Sequence, residues 1–210
     1  MKKLDGLYLI TDESLINQEQ YFETIESVLR VGPALLQLRI KDASYDDLLY
    51  KAKKVRAIAN KFDTLFIVND YIDIALESDA DGIHIGGEDL DYLEARKRIG
   101  EKKIIGVSCY GDVKRSIDFS KLGADYIAIG TPYFTKTKPN RTPTSLNVMR
   151  DITSKVRTTP IFAIGGINYE NISEVVNTGV NGIAVINSVF GTPDPSVAAL
   201  NLKKQLEQIV

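Results

Sequence analysis

Tryptophan is missing from this 210-residue chain, and cysteine and histidine occur once each. A single cysteine, Cys109, cannot close an internal disulfide, and no zinc site can be assembled from several thiolates. That predicts a reducing, cytoplasmic setting. An excess of one charge is missing too: 26 Lys and Arg stand against 28 Asp and Glu, dispersed along the chain with a net charge of -2. Such a chain lacks the electrostatic footprint of a nucleic-acid or anionic-membrane binder. No apolar run approaches the roughly 20 residues of a transmembrane helix. The start, MKKLDGLYLITDE, is interrupted by Asp5 and closed by Asp12 and Glu13, so it holds no signal-peptide core. Nor does a G-x-G-x-x-G follow the first apolar run, where the next residues are TDES, which argues against an open dinucleotide-binding sheet.

What is present is a regular alternation. With 44% hydrophobic and 26% charged residues, the chain can bury a sizeable core. Short β-branched runs, GLYLIT (6–11), ALLQLRIK (34–41), TLFIVND (64–70), GIHIGG (82–87), KIIGVSC (103–109), YIAIGTPY (126–133), PIFAIGG (160–166) and GIAVINSVF (182–190), are each followed by a segment of helical spacing. Eight βα repeats predict a parallel sheet closed into one compact (β/α)8 TIM barrel spanning 1–210, with an open doubly wound sheet as the alternative.

In such a barrel the reactive site lies at the C-terminal ends of the strands. That position filter selects the polar face of LLQLRIKD: Gln37, Arg39 and Lys41 face the barrel mouth, while Leu36, Leu38 and Ile40 pack against helices. Two inward cations need compensating anions. Asn69 and Asp70 after the third strand, and Glu88 and Asp89 after the fourth, are the candidates, either as structural ion-pair partners or as carboxylates for a magnesium ion. The loop GTPYFTKTKPNRT (130–142) offers Thr135, Lys136, Thr137 and Lys138 as a phosphate clamp. Gly165 and Gly166, followed by Asn168, form either a tight turn or the phosphate cradle common after strands seven and eight. His84 is as open to a supporting role as to acid-base work. Ser108 reads as a hydrogen-bond donor to a ligand, and Cys109, with no partner base nearby, as a bystander.

The runs LYLITD, QLRIK, IVND, GIHIGGEDL, IIGVSC, DYIAIGTPYFTKTKP, AIGGI and GIAVINSV, in this order along nearly the whole chain, resemble the thiamine phosphate synthase family. The resemblance implies a transferase on the TIM barrel that joins 4-amino-2-methyl-5-hydroxymethylpyrimidine diphosphate to a thiazole phosphate, in its carboxylated tautomer, with release of diphosphate and dependence on Mg2+. By motif it implies that Gln37, Leu38, Arg39, Ile40, Lys41, Asn69, Ser108 and Lys138 contact the pyrimidine diphosphate, with Arg39, Lys41, Ser108 and Lys138 catalytic. Asp70 and Asp89 would bind the metal. Thr135, Lys136, Thr137, Gly166, Ile186 and Asn187 would hold the thiazole phosphate, Ile186 through its backbone. Counting the ion, the pocket cations exceed its aspartates by about +3, which balances a diphosphate ester. The chain departs from the family pattern at Ile40, usually Glu, at Gly87, usually Gln, and at Asn187, often Ser. A related thiazole tautomerase carries a His after strand five, where this chain reads SCYGD. A sensor of thiamine precursors would have no use for the two aspartates. The partners implied are the two small substrates, with neither nucleic acid nor membrane; a homo-oligomer is compatible with the sequence.

Overall fold

The computed structural model describes residues 3–86, 91–134 and 143–209. The eight β-branched runs pair in chain order and close on themselves as a parallel barrel, the last strand bonding to the first. Along the chain, β1 (Gly6–Ile10), α1 (Tyr21–Leu29), β2 (Leu35–Leu38), α2 (Tyr45–Ala59), β3 (Leu65–Asn69), α3 (Ile72–Glu77), β4 (Gly82–Ile85) and α4 (Tyr92–Ile99) make the first half. The second half is β5 (Ile104–Tyr110), α5 (Val113–Leu122), β6 (Tyr126–Ile129), α6 (Leu146–Lys155), β7 (Ile161–Ile164), α7 (Ile172–Val176), β8 (Gly182–Val185), α8 (Asn187–Phe190) and α9 (Pro195–Ile209). The predicted TIM barrel is therefore the fold, and no described helix is long and apolar enough to cross a membrane.

Alternation along each strand sorts side chains into two cores. Leu7, Leu9, Leu36, Leu38, Phe66, Val68, Ile83, Ile127 and Ile183 face outward and are buried under the helices. Tyr8, Ile10, Leu35, Leu65, Ile67, Tyr126, Phe162 and Ala184 fill the barrel itself. There Tyr8, Tyr126 and Phe162 meet edge to face, with ring centroids 5.3–5.7 Å apart. Gly106 makes room for them: a Cβ at that position would lie 1.9 Å from Cζ of Tyr126.

At the N-terminal end of the barrel one device recurs. The residue entering β4, β6 and β8 accepts an N–H of the preceding strand: Asp81 from Phe66, Asp125 from Ile105 and Asn181 from Ile161, each at 2.8 Å. Two of these carboxylates also bind arginines of the adjoining helices, Arg56 at 2.8 Å and Arg96 at 2.5 Å. The Ala-Asp and Asn-Gly pairs of the sequence thus staple register at the stable end of the barrel.

The structure shortens several of the predicted runs, β6 ending at Ile129, and two of these corrections bear on the site. β2 stops at Leu38, so Arg39 and Lys41 stand in the loop beyond it rather than on the strand. β8 stops at Val185, and residues 187–190, read from sequence as strand, form the short helix α8. The amides of Val189 and Phe190 turn back to the Ile186 carbonyl, which lets both side chains bury where a straight strand would carry them past the barrel.

Candidate active site

A pocket of about 860 Å³ opens at the C-terminal ends of the strands, within the size range of small-molecule sites. The barrel has an N-terminal face as well, but the strand-end loops meet here. Gln37, Arg39, Ile40, Lys41, Asn69 and Asp70 line one side, with Ser108 across from them. Gly166, Ile186 and Asn187 line the wall from β7 and β8. Leu38 does not line it: its side chain is 1% exposed and belongs to the helix-facing core, so only its backbone could meet a ligand. Ile40 is also buried in that core while bordering the pocket, as its apolar character predicts. Asp89, Thr135, Lys136, Thr137 and Lys138 lie outside the described residues.

Each element positions its residue for a local reason. The β1–β2 register pairs Ile10 with Gln37, and the chain continues in step: Thr11 donates its N–H to the Gln37 carbonyl at 3.0 Å, and Arg39 donates its N–H to Thr11 Oγ1 at 3.0 Å. Two residues on, Asp12 faces Arg39, with Oδ2 3.5 Å from Nη1. Asp12 is itself held by Ser14, whose N–H and hydroxyl both bind Oδ1 at 3.1 and 2.7 Å. Asp12 is therefore a compensating anion for Arg39, one the sequence reading did not include, while 88–89 lie outside the described residues. The signal was available in sequence: two residues past paired positions on adjacent strands, Asp12 and Arg39 must sit side by side. Lys41 is exposed at the rim.

Asp70 follows β3 in a left-handed conformation, φ 62°, a shape Asp tolerates better than most residues. Its N–H binds the His84 carbonyl at 2.9 Å, and its Oδ2 accepts from the Asn69 amide. Tyr110, φ 56°, ends the bulged end of β5 in the same way. Two of the three described non-glycine residues with positive φ thus border the pocket, the clustering expected where backbone shape serves a site.

On the opposite wall Gly166 takes φ 66°, and a Cβ there would come within 2.6 Å of the Phe134 carbonyl. The loop is pinned from behind: Asn168 Oδ1 accepts the N–H of Glu170 and of Asn171, and the Asn171 amide donates to the Gly166 carbonyl at 3.0 Å. Asn168 thus closes the turn that follows Gly165 and Gly166, while Asn171 is the N-cap of α7. Beside it, Asn187 opens α8, whose first N–H groups have no partner within the helix.

The pocket floor is a continuous polar line. Gln37 Nε2 donates to the Tyr8 hydroxyl at 2.6 Å, which lies 2.7 Å from the Tyr126 hydroxyl. Tyr126 is 3.0 Å from His84 Nδ1, and His84 Nε2 is 2.9 Å from Ser108 Oγ. Burial, as the dominant cause, pushes both phenol pKa values well above the usual range, so both phenols keep their protons. Composition and spacing left Tyr8 and Tyr126 indistinguishable from ordinary core aromatics. His84 takes the supporting place left open for it. Cys109 is buried beneath the helices, and burial pushes its thiol up to about 12, so no thiolate faces the ligand.

Sequence reading also missed a cation. Arg115 of α5 lines the pocket, donating from Nε to the Ser108 carbonyl at 2.9 Å and from Nη2 to the Gly86 carbonyl at 3.4 Å. Its guanidinium lies 4.5 Å from the Phe119 ring centroid. No carboxylate among the described residues pairs with it. Its charge is opposite to that of Asp12, and neither residue entered the charge count made from sequence.

Among the described residues no three His, Cys, Asp or Glu side chains gather as a metal cluster. Magnesium asks for less: one or two carboxylates, with phosphate oxygens and water completing its shell. Asp70, a half-buried carboxylate beside cations suited to phosphate, fits that donor chemistry.

The thiamine monophosphate synthase family matches residues 7–189. The chain is 42% identical to the thiamine-phosphate synthase of Clostridium novyi over 197 residues, 93% of this chain and 96% of the relative. It is 40% identical to that of Ruminiclostridium cellulolyticum, covering 93% and 92%. Among solved structures, thiamine phosphate pyrophosphorylase from Pyrococcus furiosus superposes with a TM-score of 0.89 at 36% identity, covering 98% of this chain and 96% of the other. The chain therefore belongs to the thiamine monophosphate synthase family and is, as a member of it, a transferase.

Proposed function

We propose that this enzyme makes thiamine phosphate from 4-amino-2-methyl-5-hydroxymethylpyrimidine diphosphate and the thiazole phosphate carboxylate, releasing diphosphate and carbon dioxide. The observation that carries the reading is the division of one pocket into two unlike walls. Gln37, Arg39, Lys41, Asn69, Asp70 and Ser108 form a cationic, side-chain-rich wall suited to a diphosphate ester. The backbone of Gly166, Ile186 and Asn187 forms a second wall suited to a phosphate monoester.

In the reaction the C–O bond to diphosphate breaks with both electrons leaving on oxygen, and the electron-rich aminopyrimidine carries the resulting cation. The thiazole nitrogen lone pair then closes a C–N bond to the same methylene carbon, and the carboxylate leaves as CO2, its bonding pair returning to the ring system, which takes up one proton at the exocyclic carbon to become the thiazolium. Arg39, Lys41 and Lys138 hold the oxygens on which charge develops, the usual place where an enzyme lowers such a barrier most. Arg39 is kept in its orientation by Asp12 until the ligand arrives. Ser108 and Gln37 orient the pyrimidine, and Thr135, Lys136, Thr137 and the β7–β8 wall orient the thiazole, so the two reacting atoms meet without a bimolecular search. No side-chain base is needed, in keeping with a single, internally engaged histidine. When bound, Mg2+, held by Asp70 and Asp89, supplies positive charge to the leaving diphosphate. Substrates and setting of this kind belong to a cytoplasmic enzyme.

Purified protein with Mg2+ and both substrates should yield one diphosphate per thiamine phosphate. No product in that assay, with the thiazole phosphate still binding, would replace this reading with a sensor of thiamine precursors.

A further inference from the structure

The polar line beneath the pocket has an order that its chemistry fixes. Its five members come from five strands, and each hydroxyl has one proton to give, as does a neutral imidazole. Among the described partners, only two orders then satisfy every member. In the first, the Gln37 amide donates to Tyr8, Tyr8 to Tyr126, Tyr126 to His84 Nδ1, and the His84 Nε2–H to Ser108. The second runs the other way and needs Gln37 to present Oε1 to Tyr8. Any mixed order strands a hydroxyl proton of Tyr8 or Tyr126, which are 1% and 0% exposed, and a doubly protonated His84 fits only the second order. Buried donors are almost never left unmet.

Two observations select the first order. Gln37 turns its nitrogen, not its oxygen, toward Tyr8 at 2.6 Å. And the first order has the more acidic phenol O–H donating to the basic ring nitrogen of His84, at 3.0 Å, rather than an imidazole N–H donating to a phenol oxygen.

We propose that Tyr8, Tyr126 and His84 are positioning residues that hold His84 as its Nε2–H tautomer and thereby turn the Ser108 hydroxyl proton into the pocket. Ser108 is then an obligate donor, and Gln37 Oε1, which no described side chain or backbone group engages, is an acceptor. The floor consequently selects a flat heterocycle whose amino N–H sits beside a ring nitrogen and disfavours its oxo analogue, in which donor and acceptor are exchanged. This selection rests on the pyrimidine diphosphate reading above; the proton order does not.

The test uses the intact protein and its only histidine, so one imidazole is observed. In 15N NMR of the unliganded protein near neutral pH, the expected pattern is a protonated Nε2 and an unprotonated Nδ1. Tyr126→Phe should move the spectrum toward a mixture of tautomers with the barrel still folded by circular dichroism, while Ser108→Ala should leave Nδ1 unprotonated. An Nδ1–H tautomer or an imidazolium in the wild-type protein overturns the proposal. For the selection, the aminopyrimidine diphosphate should bind about 100-fold more tightly than its oxo analogue, and Tyr126→Phe should shrink that ratio. Equal binding of the two overturns the donor and acceptor assignment. Binding of neither, with the Nε2–H tautomer in place, rejects the substrate reading and with it the selection, and leaves the proton order standing.

Discussion

Asp12→Asn is the sharpest probe of how the cationic wall is held in the absence of ligand. The substitution keeps Oδ1, so the Ser14 contacts that shape the loop survive. It removes only the charge opposite Arg39. The two side chains are 11% and 21% exposed and 3.5 Å apart. That places the pair between exposed ion pairs, worth about 0–1 kcal/mol, and buried pairs, whose disruption costs about 3–5 kcal/mol. The distance is longer than a charge-assisted hydrogen bond, which favours the lower part of that interval. A loss of about 1–2 kcal/mol follows, or a fall in Tm of about 2–8 °C for a domain of this size. Inorganic diphosphate with Mg2+ should then raise Tm more in the variant than in the parent protein, because the ligand supplies the missing negative charge. Thermal unfolding of Asp12→Asn, Arg39→Met and the double variant, with and without diphosphate, measures both effects. Should Asp12→Asn cost as much in the Arg39→Met background as in the parent protein, the pair is not what stabilises that corner, and the account of Arg39 fails.

Further outcomes follow from the same geometry. Asp70→Asn, chosen because Asn also accepts the left-handed backbone, and Lys138→Ala should each lower turnover by about 100-fold or more while Tm stays within a few degrees; steady-state kinetics with unchanged kcat in either would remove that residue from the site. Gly106→Ala inserts a methyl 1.9 Å from the Tyr126 ring and should cost about 1–3 kcal/mol, weakening pyrimidine diphosphate binding well before thiazole phosphate binding; calorimetry showing equal loss of both would contradict a floor built on Tyr126. Stability should also decline in mild alkali. The Cys109 thiol, pushed up to about 12 by burial, keeps its proton in the folded chain while the unfolded chain loses it near pH 8.5. This contribution is whole below about pH 8.5 and is lost as pH rises toward 12, by up to about 1.4 kcal/mol per pH unit. Denaturant melts at pH 8, 9 and 10 should show the decline, and Cys109→Ala should flatten it; an unchanged slope in that variant would assign the effect elsewhere.

Much of this protein is written in local sequence. Period-two apolar runs alternating with period-3.6 segments determine strands, helices and their parallel order, because each pattern buries its face in only one geometry. The position filter at strand ends then brought Gln37, Arg39, Lys41, Asn69, Asp70, Ser108 and Gly166 to one mouth without any distance being known. Strand ends were less legible: at β2 and β8 an apolar run continues past the point where the ladder stops, since Ile40, Val189 and Phe190 find burial outside it. What tertiary structure alone decided is pairing across strands far apart in sequence. Asp12 meets Arg39 through register, Arg115 reaches the carbonyls of Ser108 and Gly86 from a helix face, and Tyr8 meets Tyr126 across 118 residues because Gly106 leaves the space. Local patterning carries the period of an element and the face it buries. It carries nothing about which polar atom on one strand completes the valence of an atom on another, and the floor of this pocket is made of such pairs.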